Sequence, residues 1–326
     1  MKSVVTKVLI KRITMSLVLL FLLITLIFFL LRISPGNPVQ KFVSPLLSPN
    51  LVEKVKNSFS LDKSVWLQYT DFVKNLATGN FGISYQYHLP VISVIFTYLP
   101  FTIIFSLISF LFQISFGLYS AIKSFNNKGK LIDKILSKSS LVIYSIPSFV
   151  IGIFLIYIFS VKLNLFPSAD LRSIDFSEFT LPEQLLDYIQ HLILPVLTLS
   201  LPGIVIYYKY LRENLESINN EGFIRYLRAN GISEKIILKK HLLPNAIRPM
   251  IAVAGIELGL LLSGALITEV IFSLPGMGRL TVNAILNRDY PLVIGCTFIS
   301  GILIILTNFI ADIVSYKIDK RMIKGL

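Results

Sequence analysis

Charged residues are scarce in this 326-residue sequence. Asp, Glu, Lys and Arg together make up 15% of it, whereas soluble domains contain about 25%. Hydrophobic residues make up 54%, and the mean hydropathy is +0.73. They occur in blocks of about 20 residues, the length that an α-helix needs to cross the hydrocarbon layer of a bilayer. The composition therefore predicts an all-α integral membrane protein and disfavours a water-soluble protein with large buried helices.

Residues that bind metals or form disulfides are also few. The single cysteine, Cys296, lies in an apolar block and can form no intramolecular disulfide, so it is expected to pack as a small hydrophobe. His88, His191 and His241 lie far apart, and none has a cysteine or carboxylate at ligand spacing. We therefore expect no metal site.

Three motifs typical of enzymes and nucleotide-binding proteins are absent. There is no Gly-x-x-x-x-Gly-Lys-Ser/Thr phosphate loop, no His-Glu-x-x-His metal site and no Gly-x-Ser-x-Gly nucleophile turn. Glu257 and Glu269 lie within apolar runs, as do the acids of proton relays and intramembrane aspartyl proteases. Neither has a histidine or a second acid three or four residues away. We therefore expect no catalytic residues and no cofactor bound by this chain.

The apolar runs predict six membrane-spanning helices. The third run carries no charge and is the clearest, whereas Pro195 and Pro202 interrupt the fourth. The fourth is therefore expected to be a kinked helix or, alternatively, a re-entrant segment that would leave five spans. The first run is too long for a signal peptide and precedes no small-x-small cleavage site, so it is interpreted as an uncleaved span. The six runs are residues 13–31, 91–122, 139–161, 191–208, 250–270 and 291–311.

The net charge of +13 is better explained by topology than by a nucleic-acid partner. About two-thirds of the Lys and Arg residues fall in the N-terminus, the second and fourth connections and the C-terminal tail. Because basic residues collect on cytoplasmic loops, both termini are predicted to be cytoplasmic. The outer loop 36–90 is polar, with a helix-like stretch at 51–76. The outer loop 164–190 is acidic, which indicates either a solvated loop or a docking surface for an external partner.

The fifth run places Glu257 among small residues. A charge within the bilayer normally faces a bundle interior, an aqueous cavity or a partner, and Gly255-x-x-x-Gly259 offers a flat face to another helix. We therefore consider Glu257, Gly255, Gly259 and Glu269 as candidates for a substrate pathway or a subunit interface. The alternative is that Glu257 is a protonated or hydrogen-bonded structural residue.

The fourth connection, residues 212–248, is too polar for the bilayer and too regular for an unstructured loop. Residues 221–230 predict a short helix whose Phe223, Ile224, Tyr226 and Leu227 expose apolar surface. Gly231 fits a helix C-cap, Ser233 fits the N-cap of a second helix, and Leu243-Pro244 is expected to end the unit. The segment is either a docking knob for a soluble partner or an amphipathic helix on anionic lipid.

The spacing from Gly231 to Leu243-Pro244 resembles the "EAA" loop of binding-protein-dependent ABC importer permeases, in which a coupling helix inserts into the ATPase subunit. The usual Glu-Ala-Ala falls here on Arg225-Tyr226-Leu227, which departs from the motif. The peptide-importer branch commonly has Arg-Thr-Ala-Arg-Ala-Lys-Gly there. The resemblance implies that residues 212–248, hereafter the coupling unit, contact the ATPase. Its site residues are Glu221, Arg225, Arg228, Ala229, Gly231, Leu243 and Pro244.

Further motifs resemble the "B" permeases of the dipeptide/oligopeptide/nickel group, in order along nearly the whole chain. Glu257 is a departure, because such permeases more often have Gln there. The motifs are Ser34-Pro35-Gly36-Asn37-Pro38, Gly79-Asn-Phe-Gly82, Glu269-Val-Ile-Phe272 and Pro275-Gly276-Met277-Gly278-Arg279.

The resemblance implies a type I ABC importer permease fold in a bacterial cytoplasmic membrane. Residues 1–90 would hold the first helix and a long outer loop, 91–316 the ABC transmembrane domain and 317–326 a cytoplasmic tail. The implied partners are a homologous C-type permease in a heterodimer, two cytoplasmic ATPases that use ATP and Mg²⁺, an external substrate-binding protein, and membrane lipid.

Two questions remain open at the level of the sequence. A secondary transporter or channel is the rival function, but it would carry coupling-ion residues along several spans, and five of the six predicted spans contain no acid. The cargo is an oligopeptide, a dipeptide, nickel or a metal chelate. The absence of clustered His, Cys or Met favours peptides, because bare nickel favours soft or imidazole ligands.

Overall fold

The protein is described by a computed structural model that covers residues 2–33 and 64–318, and most of these residues are helical. Within those two ranges the only β pairing is an isolated bridge between Ile83 and Pro90. The helices in chain order are α1 (Lys2–Ile33), α2 (Val65–Ala77), α3 (Val91–Asn126), α4 (Leu131–Ser145), α5 (Ser148–Leu155) followed by a π-helix (Ile156–Lys162), a 3₁₀-helix (Ile174–Glu178), α6 (Leu181–Asn219), α7 (Gly222–Ala229), α8 (Glu234–Ile236) followed by a π-helix (Ile237–Leu242), α9 (Leu243–Ile247), α10 (Met250–Leu262), α11 (Leu266–Ile271), α12 (Met277–Leu286) and α13 (Tyr290–Ile318).

The third run, predicted as the clearest span, is a broken helix. Helix α4 ends at Ser145, and α5 with its π-helix continues at an angle of 104°. Pro147 favours a break at this point, because it has no N–H to donate and the residue before a proline is driven toward an extended conformation. Ile146 has φ −97° and ψ 127°. Absence of charge thus identified an apolar segment but not a continuous helix.

The fourth run, predicted to be the weakest, is instead the longest helix of the described residues. Helix α6 has 39 residues and passes through Pro195 and Pro202 without ending. Its start is well capped, because the Glu183 carboxylate accepts hydrogen bonds from the Thr180 N–H (2.8 Å) and hydroxyl (2.7 Å). The re-entrant alternative for this run is therefore wrong.

Helices α3 and α6 form the most extensive helix pair of the fold and lie parallel. Contacts between the two helices advance in the same direction along both of them. Ser200 donates to the Ser109 carbonyl (3.2 Å), and further along both helices Tyr208 pairs with Ser124 (3.1 Å). Two parallel helices cross the membrane in the same direction, so the chain between them must cross it once in the opposite direction. The broken α4–α5 segment lies between α3 and α6 and must therefore traverse the membrane as one span. The six predicted crossings are therefore confirmed, although one of them is bent.

The two ends of the described chain lie at the same end of the bundle. Arg12 near the start of α1 forms a 2.5 Å ion pair with Asp312 near the end of α13, and Leu20 packs against Gly301 in the same antiparallel pair. This arrangement agrees with an even number of crossings.

The two loops that were predicted to lie outside are more helical than expected. Helix α2 matches the end of the helix-like stretch 51–76, whose residues 51–63 lie outside the described ones. The predicted loop 164–190 ends early, because α6 begins at Leu181. Glu183 therefore caps a helix, and buried Asp187 accepts hydrogen bonds from Ser173. The remaining acids of this loop, Asp170, Asp175 and Glu178, are exposed.

Candidate functional site

The coupling unit has the predicted helix–glycine–helix form. Glu221 occupies the N-cap position of α7 without a side-chain capping bond, and Ala229 is its last residue. Gly231 has φ +74°, a conformation that costs a residue with a Cβ atom about 1–2 kcal/mol. Its N–H donates to the Arg228 carbonyl (2.9 Å), and the Ile232 N–H donates to the Leu227 carbonyl (3.2 Å). This is a Schellman motif, which turns the chain sharply between α7 and the following helix.

The buried face of the coupling unit holds it against the membrane-spanning helices. Ile224, Ile237 and Leu242 are buried in one cluster with Leu211 and Leu215 of α6. Ile224 was predicted to be exposed but is fully buried, because it faces this cluster. Leu227 is partly buried against the same cluster for the same reason.

The outer face of the coupling unit keeps three large hydrophobic side chains in solvent. Phe223 is 45% exposed, Tyr226 69% and Ile236 44%. Arg225 and Lys235 lie beside them and are also exposed. An apolar patch with basic neighbours is typical of a surface that another macromolecule covers.

An ion pair joins the two helices across the Gly231 turn. The Arg228 guanidinium contacts the Glu234 carboxylate through two hydrogen bonds of 2.6 and 3.1 Å and also donates to Asn219 (2.5 Å). The hydrogen bond from Arg228, followed by its charge, lowers the pKa of Glu234. Arg225 makes a weaker contact of 3.4 Å with the Asn220 carbonyl. Of the two arginines, Arg228 is thus the one that braces the turn.

Leu243-Pro244 does not end the unit as predicted. Both residues lie in the first turn of α9, directly after the π-helix Ile237–Leu242. Proline fits the first turn of a helix, where its missing N–H leaves no partner unsatisfied. The segment therefore continues as a helix up to Ile247, and the Asn214 side chain of α6 donates to the Ala246 carbonyl of α9 (3.1 Å).

A polar network at the start of the coupling unit was not predicted from the sequence. Asp133 accepts hydrogen bonds from Ser124 (2.5 Å) and pairs with Arg212 (3.0 Å), which in turn contacts Glu216 (3.4 Å). The network ties α3, α4 and α6 together at the end of the bundle that carries the coupling unit. A signal was available, since Asp133 is the single acid in a connection rich in lysine.

The glycines of α10 pack within the chain. A Cβ atom at Gly255 would overlap the side chain of Ala311, and one at Gly259 would lie 2.7 Å from the Thr307 hydroxyl, both on α13. The small residues thus provide the flat face that the sequence predicted, but their partner is α13 of the same chain instead of a second subunit. Glu257 lies on another side of α10 and is only half-buried.

Glu269 is fully buried inside the chain, so it cannot line a pathway or an intersubunit surface in this structure. Its carboxylate accepts hydrogen bonds from the Arg279 N–H (3.0 Å), the Gly278 N–H and the Thr102 hydroxyl (3.2 Å). A carboxylate at the N-terminus of α12 satisfies amides that have no partner within the helix.

The glycines of the 275–279 motif have a steric role. Cβ atoms at Gly276 and Gly278 would collide with the Glu269 carboxylate. Pro275 precedes this close approach, and the Arg279 side chain donates to the Ser273 carbonyl. Glu269 and the 275–279 motif are therefore one structural unit, a relationship that the sequence spacing alone did not reveal.

The motif 79–82 forms a turn with two glycines at positive φ, Gly79 at +72° and Gly82 at +79°. It leads to Ser84, whose hydroxyl donates to the buried carboxylate of Asp289 (2.5 Å). The sequence did not single out Asp289, because it lies outside the apolar runs.

The motif residues Pro35, Gly36 and Pro38 lie outside the described residues. Within residues 2–33 and 64–318, no cluster of three or more His, Cys, Asp or Glu residues is arranged to hold a metal ion.

Comparison with known proteins covers nearly the whole chain. Residues 113–324 match the family "Binding-protein-dependent transport system inner membrane component", and residues 5–107 match the corresponding N-terminal family. The dipeptide transport system permease protein DppB of Lactococcus lactis is 32% identical over 97% of this chain and 99% of the relative. The oligopeptide transport system permease protein AppB of Bacillus subtilis is 32% identical over 96% and 98%, and the nickel import system permease protein NikB of Staphylococcus aureus is 32% identical over 97% and 92%.

The fold is similar to that of a solved ABC transporter. The MetNI methionine transporter in an inward-facing form aligns with a TM-score of 0.52 and 18% identity, over 70% of this chain and 97% of that one. The six crossings, the matched families and the full-length relatives agree: this chain belongs to the inner membrane components of binding-protein-dependent transport systems, the multi-pass permease subunits of ABC transporters.

Proposed function

We propose that this chain is one membrane-spanning half of an ATP-driven importer that carries short peptides across the bacterial cytoplasmic membrane. The substrate class is supported by the full-length relatives, two of which are named as dipeptide and oligopeptide permeases at 32% identity. The chain is proposed to work without a nucleotide site or a cofactor of its own, with ATP and Mg²⁺ bound by partner subunits.

The observation that carries the proposal is the coupling unit, a braced surface structure joined to two spans. Its inner face packs on Leu211 and Leu215 of α6, and its last helix leads through Arg248 and Pro249 into α10. A push on the outer face would therefore move α6 and α10 together. We assign Phe223 and Tyr226, which are exposed at the tip, to the contact with an ATPase subunit.

The remaining partners follow from the same family membership. A homologous C-type permease would complete a heterodimer, two ATPases would bind the two coupling units, and an external binding protein would deliver the cargo. With the coupling unit facing ATPases in the cytoplasm, the even number of crossings would place both termini in the cytoplasm. That orientation agrees with the concentration of Lys and Arg on the same side.

Nickel or a metal chelate is the second candidate cargo, because the NikB relative is as similar as the peptide permeases. The two cargoes are distinguished by uptake in a strain from which this gene is deleted. We expect the deletion to abolish ATP-dependent accumulation of labelled di- to pentapeptides and to leave nickel accumulation unchanged. Loss of nickel accumulation alone would replace the peptide assignment, and loss of neither would contradict the importer function.

A further inference from the structure

A groove between α1 and α10, with α13 as its floor, is open along its side. Its volume is about 410 Å³, and most of the side chains that line it are apolar. Helix α1 contributes residues 12–19 to it, so the groove is about 10 Å long. Met15 and Leu19 on one wall are 60% and 66% exposed, and Ile256 on the other is 54% exposed. The described part of the chain therefore leaves this groove uncovered.

The lining of the groove changes from charged to polar along its length. At the end of the bundle that carries both termini, Arg12 and Asp312 form the ion pair described above, and 44% of the Arg12 side chain is exposed. One turn further into the apolar run of each helix, Ser16 and Asn308 line the groove. Within residues 2–33 and 64–318, neither of these two side chains makes a hydrogen bond.

This order of side chains matches the layers of a glycerophospholipid. The phosphate of such a lipid lies at the membrane surface, the ester carbonyls lie just below it, and the acyl chains fill the hydrocarbon core. Arg12 has five N–H donors, so it can bind a phosphate oxygen while it keeps its contact with Asp312. The Ser16 hydroxyl and the Asn308 amide can donate to ester carbonyl oxygens. The apolar part of the groove, which extends to Leu19, receives an acyl chain.

A helix of another protein subunit fits the groove less well. A helix with its side chains is about 10–12 Å wide, so a segment 10 Å long occupies roughly 900 Å³. The groove offers about 410 Å³. Its size therefore favours a thin, flexible chain, and its charged end favours an occupant that carries a phosphate.

We infer that this groove binds one glycerophospholipid from the leaflet on the side of both termini, with its phosphate on Arg12 and an acyl chain between α1 and α10. Basic pockets between membrane-spanning helices are known to bind lipid head groups. The lipid would cover Ala252 and Ile256, which are exposed on the same face of α10. This inference goes beyond the import function and holds for any cargo.

Retention of the lipid is tested on the complete transporter. Vesicles are prepared with traces of phosphatidylglycerol and phosphatidylethanolamine that carry a photoactivatable diazirine in one acyl chain. The transporter is extracted into detergent, washed and then illuminated, so that only lipid that stays bound forms cross-links. We expect mass spectrometry to find labelled peptides of this chain from residues 12–19, 252–256 and 305–312. Absence of label from these segments would overturn the inference.

The role of the guanidinium is tested by two neighbouring charges. Arg12→Gln is expected to lower the label in the groove about tenfold, as for the loss of a hydrogen bond to a charged group, whereas Arg12→Lys should retain most of it. Lys11→Gln is the matched control, because Lys11 is exposed but does not line the groove. An equal loss in Lys11→Gln and Arg12→Gln would indicate general attraction of lipid to a basic surface and would contradict a specific site.

The acyl-chain position is tested by filling the groove. Ile256→Trp places a larger side chain in it, and Leu260→Trp makes the same change one turn further on the exposed face of α10, outside the groove. We expect loss of label in Ile256→Trp alone, with all subunits still purifying together. If the wild type carried no label in the groove and Ile256→Trp released the partner permease, that subunit would be the occupant and the lipid inference would be wrong.

Discussion

The carboxylate of Glu269 accepts a hydrogen bond from the backbone N–H of Arg279, 3.0 Å away, and so joins α11 to the first turn of α12. Thr102 of α3 completes the arrangement, because its hydroxyl donates to Glu269 and accepts a hydrogen bond from the Met277 N–H (2.7 Å). Three separate parts of the chain therefore depend on one buried acid. The end of the fifth span at α11 is held in place by this acid instead of by apolar packing alone.

Replacing Glu269 is expected to destabilise the protein. In Glu269→Gln, an amide NH₂ faces backbone donors that the carboxylate satisfied, and leaving such buried groups without partners costs about 1–3 kcal/mol. The thermal unfolding midpoint of the protein in detergent should fall. Glu178→Gln, at an exposed position, is the control and should leave the midpoint unchanged. An unchanged midpoint in Glu269→Gln would show that the capping contact is not needed.

The motif glycine that contacts Glu269 should not tolerate a methyl group. Gly276 has φ −117°, which alanine adopts freely, so any effect of Gly276→Ala must come from the collision with the Glu269 carboxylate. Overpacking of this kind costs about 1–3 kcal/mol. The same melting experiment tests it. Gly222→Ala is the matched control, because Gly222 also lies at a helix start but a Cβ atom there would have no neighbouring atom within 4 Å.

Gly231→Val is expected to abolish ATP-driven uptake while leaving the protein inserted in the membrane. The cause is the backbone conformation at φ +74° alone, since a Cβ atom there would meet open space. Gly129→Val is a closely matched control, because Gly129 has φ +78° and equally open surroundings but lies in the turn before α4. Equal loss of uptake in both variants would mean that general destabilisation is the cause. Normal uptake in Gly231→Val would contradict the coupling role.

Tyr226→Ala is expected to lower cargo uptake and the stimulation of ATP hydrolysis by cargo, because this side chain is 69% exposed at the tip of the coupling unit. The folded permease should be as stable as the wild type, since little buried area is lost. Tyr157→Ala removes a tyrosine that is 51% exposed in the third span and serves as the control. If both variants behaved like the wild type, the ATPase would have to contact another surface.

The Arg228–Glu234 pair should stabilise the Gly231 turn at neutral pH and cease to do so in acid. The pKa of Glu234 is lowered in the folded protein by the hydrogen bond from Arg228, so its contribution is present above the ordinary glutamate value of about 4.3 and is lost as the pH falls through the lowered pKa. Exposed ion pairs contribute about 0.2–1 kcal/mol.

Hydrogen exchange of the amides around Gly231 measures this effect. Corrected for intrinsic rates, exchange should be up to about fivefold faster in Glu234→Gln at pH 7, and acid should bring the wild type to the same level. Glu221→Gln, which removes an exposed carboxyl without a capping bond, should change nothing. Identical protection in Glu234→Gln and the wild type at pH 7 would show that the pair adds no stability.

Part of the site could be predicted from local chemistry and part could not. Gly231 was identifiable because a left-handed C-cap is a requirement of a single residue, and the flanking sequence shows where the helix ends. The burial of Ile224 was not, because it depends on Leu211 and Leu215 of another helix. Glu269 was recognised as an acid in an apolar run, but its partner Arg279 and the glycines that make room for it become neighbours only when α11 and α12 fold together.

Local sequence was enough to predict the class of protein, the six crossings and the helix–glycine–helix unit, because hydrophobic length and backbone preference act within a short stretch of chain. Packing between helices fixes which proline breaks a span and which acid has a partner. Pro147 ends α4, whereas Pro195 and Pro202 remain inside α6, which packs along its parallel neighbour α3. Glu269 is satisfied by the start of α12, whereas Glu257 finds no such partner among the described residues. The difference arises because the donors for such a carboxylate come from other helices, which only folding brings into place.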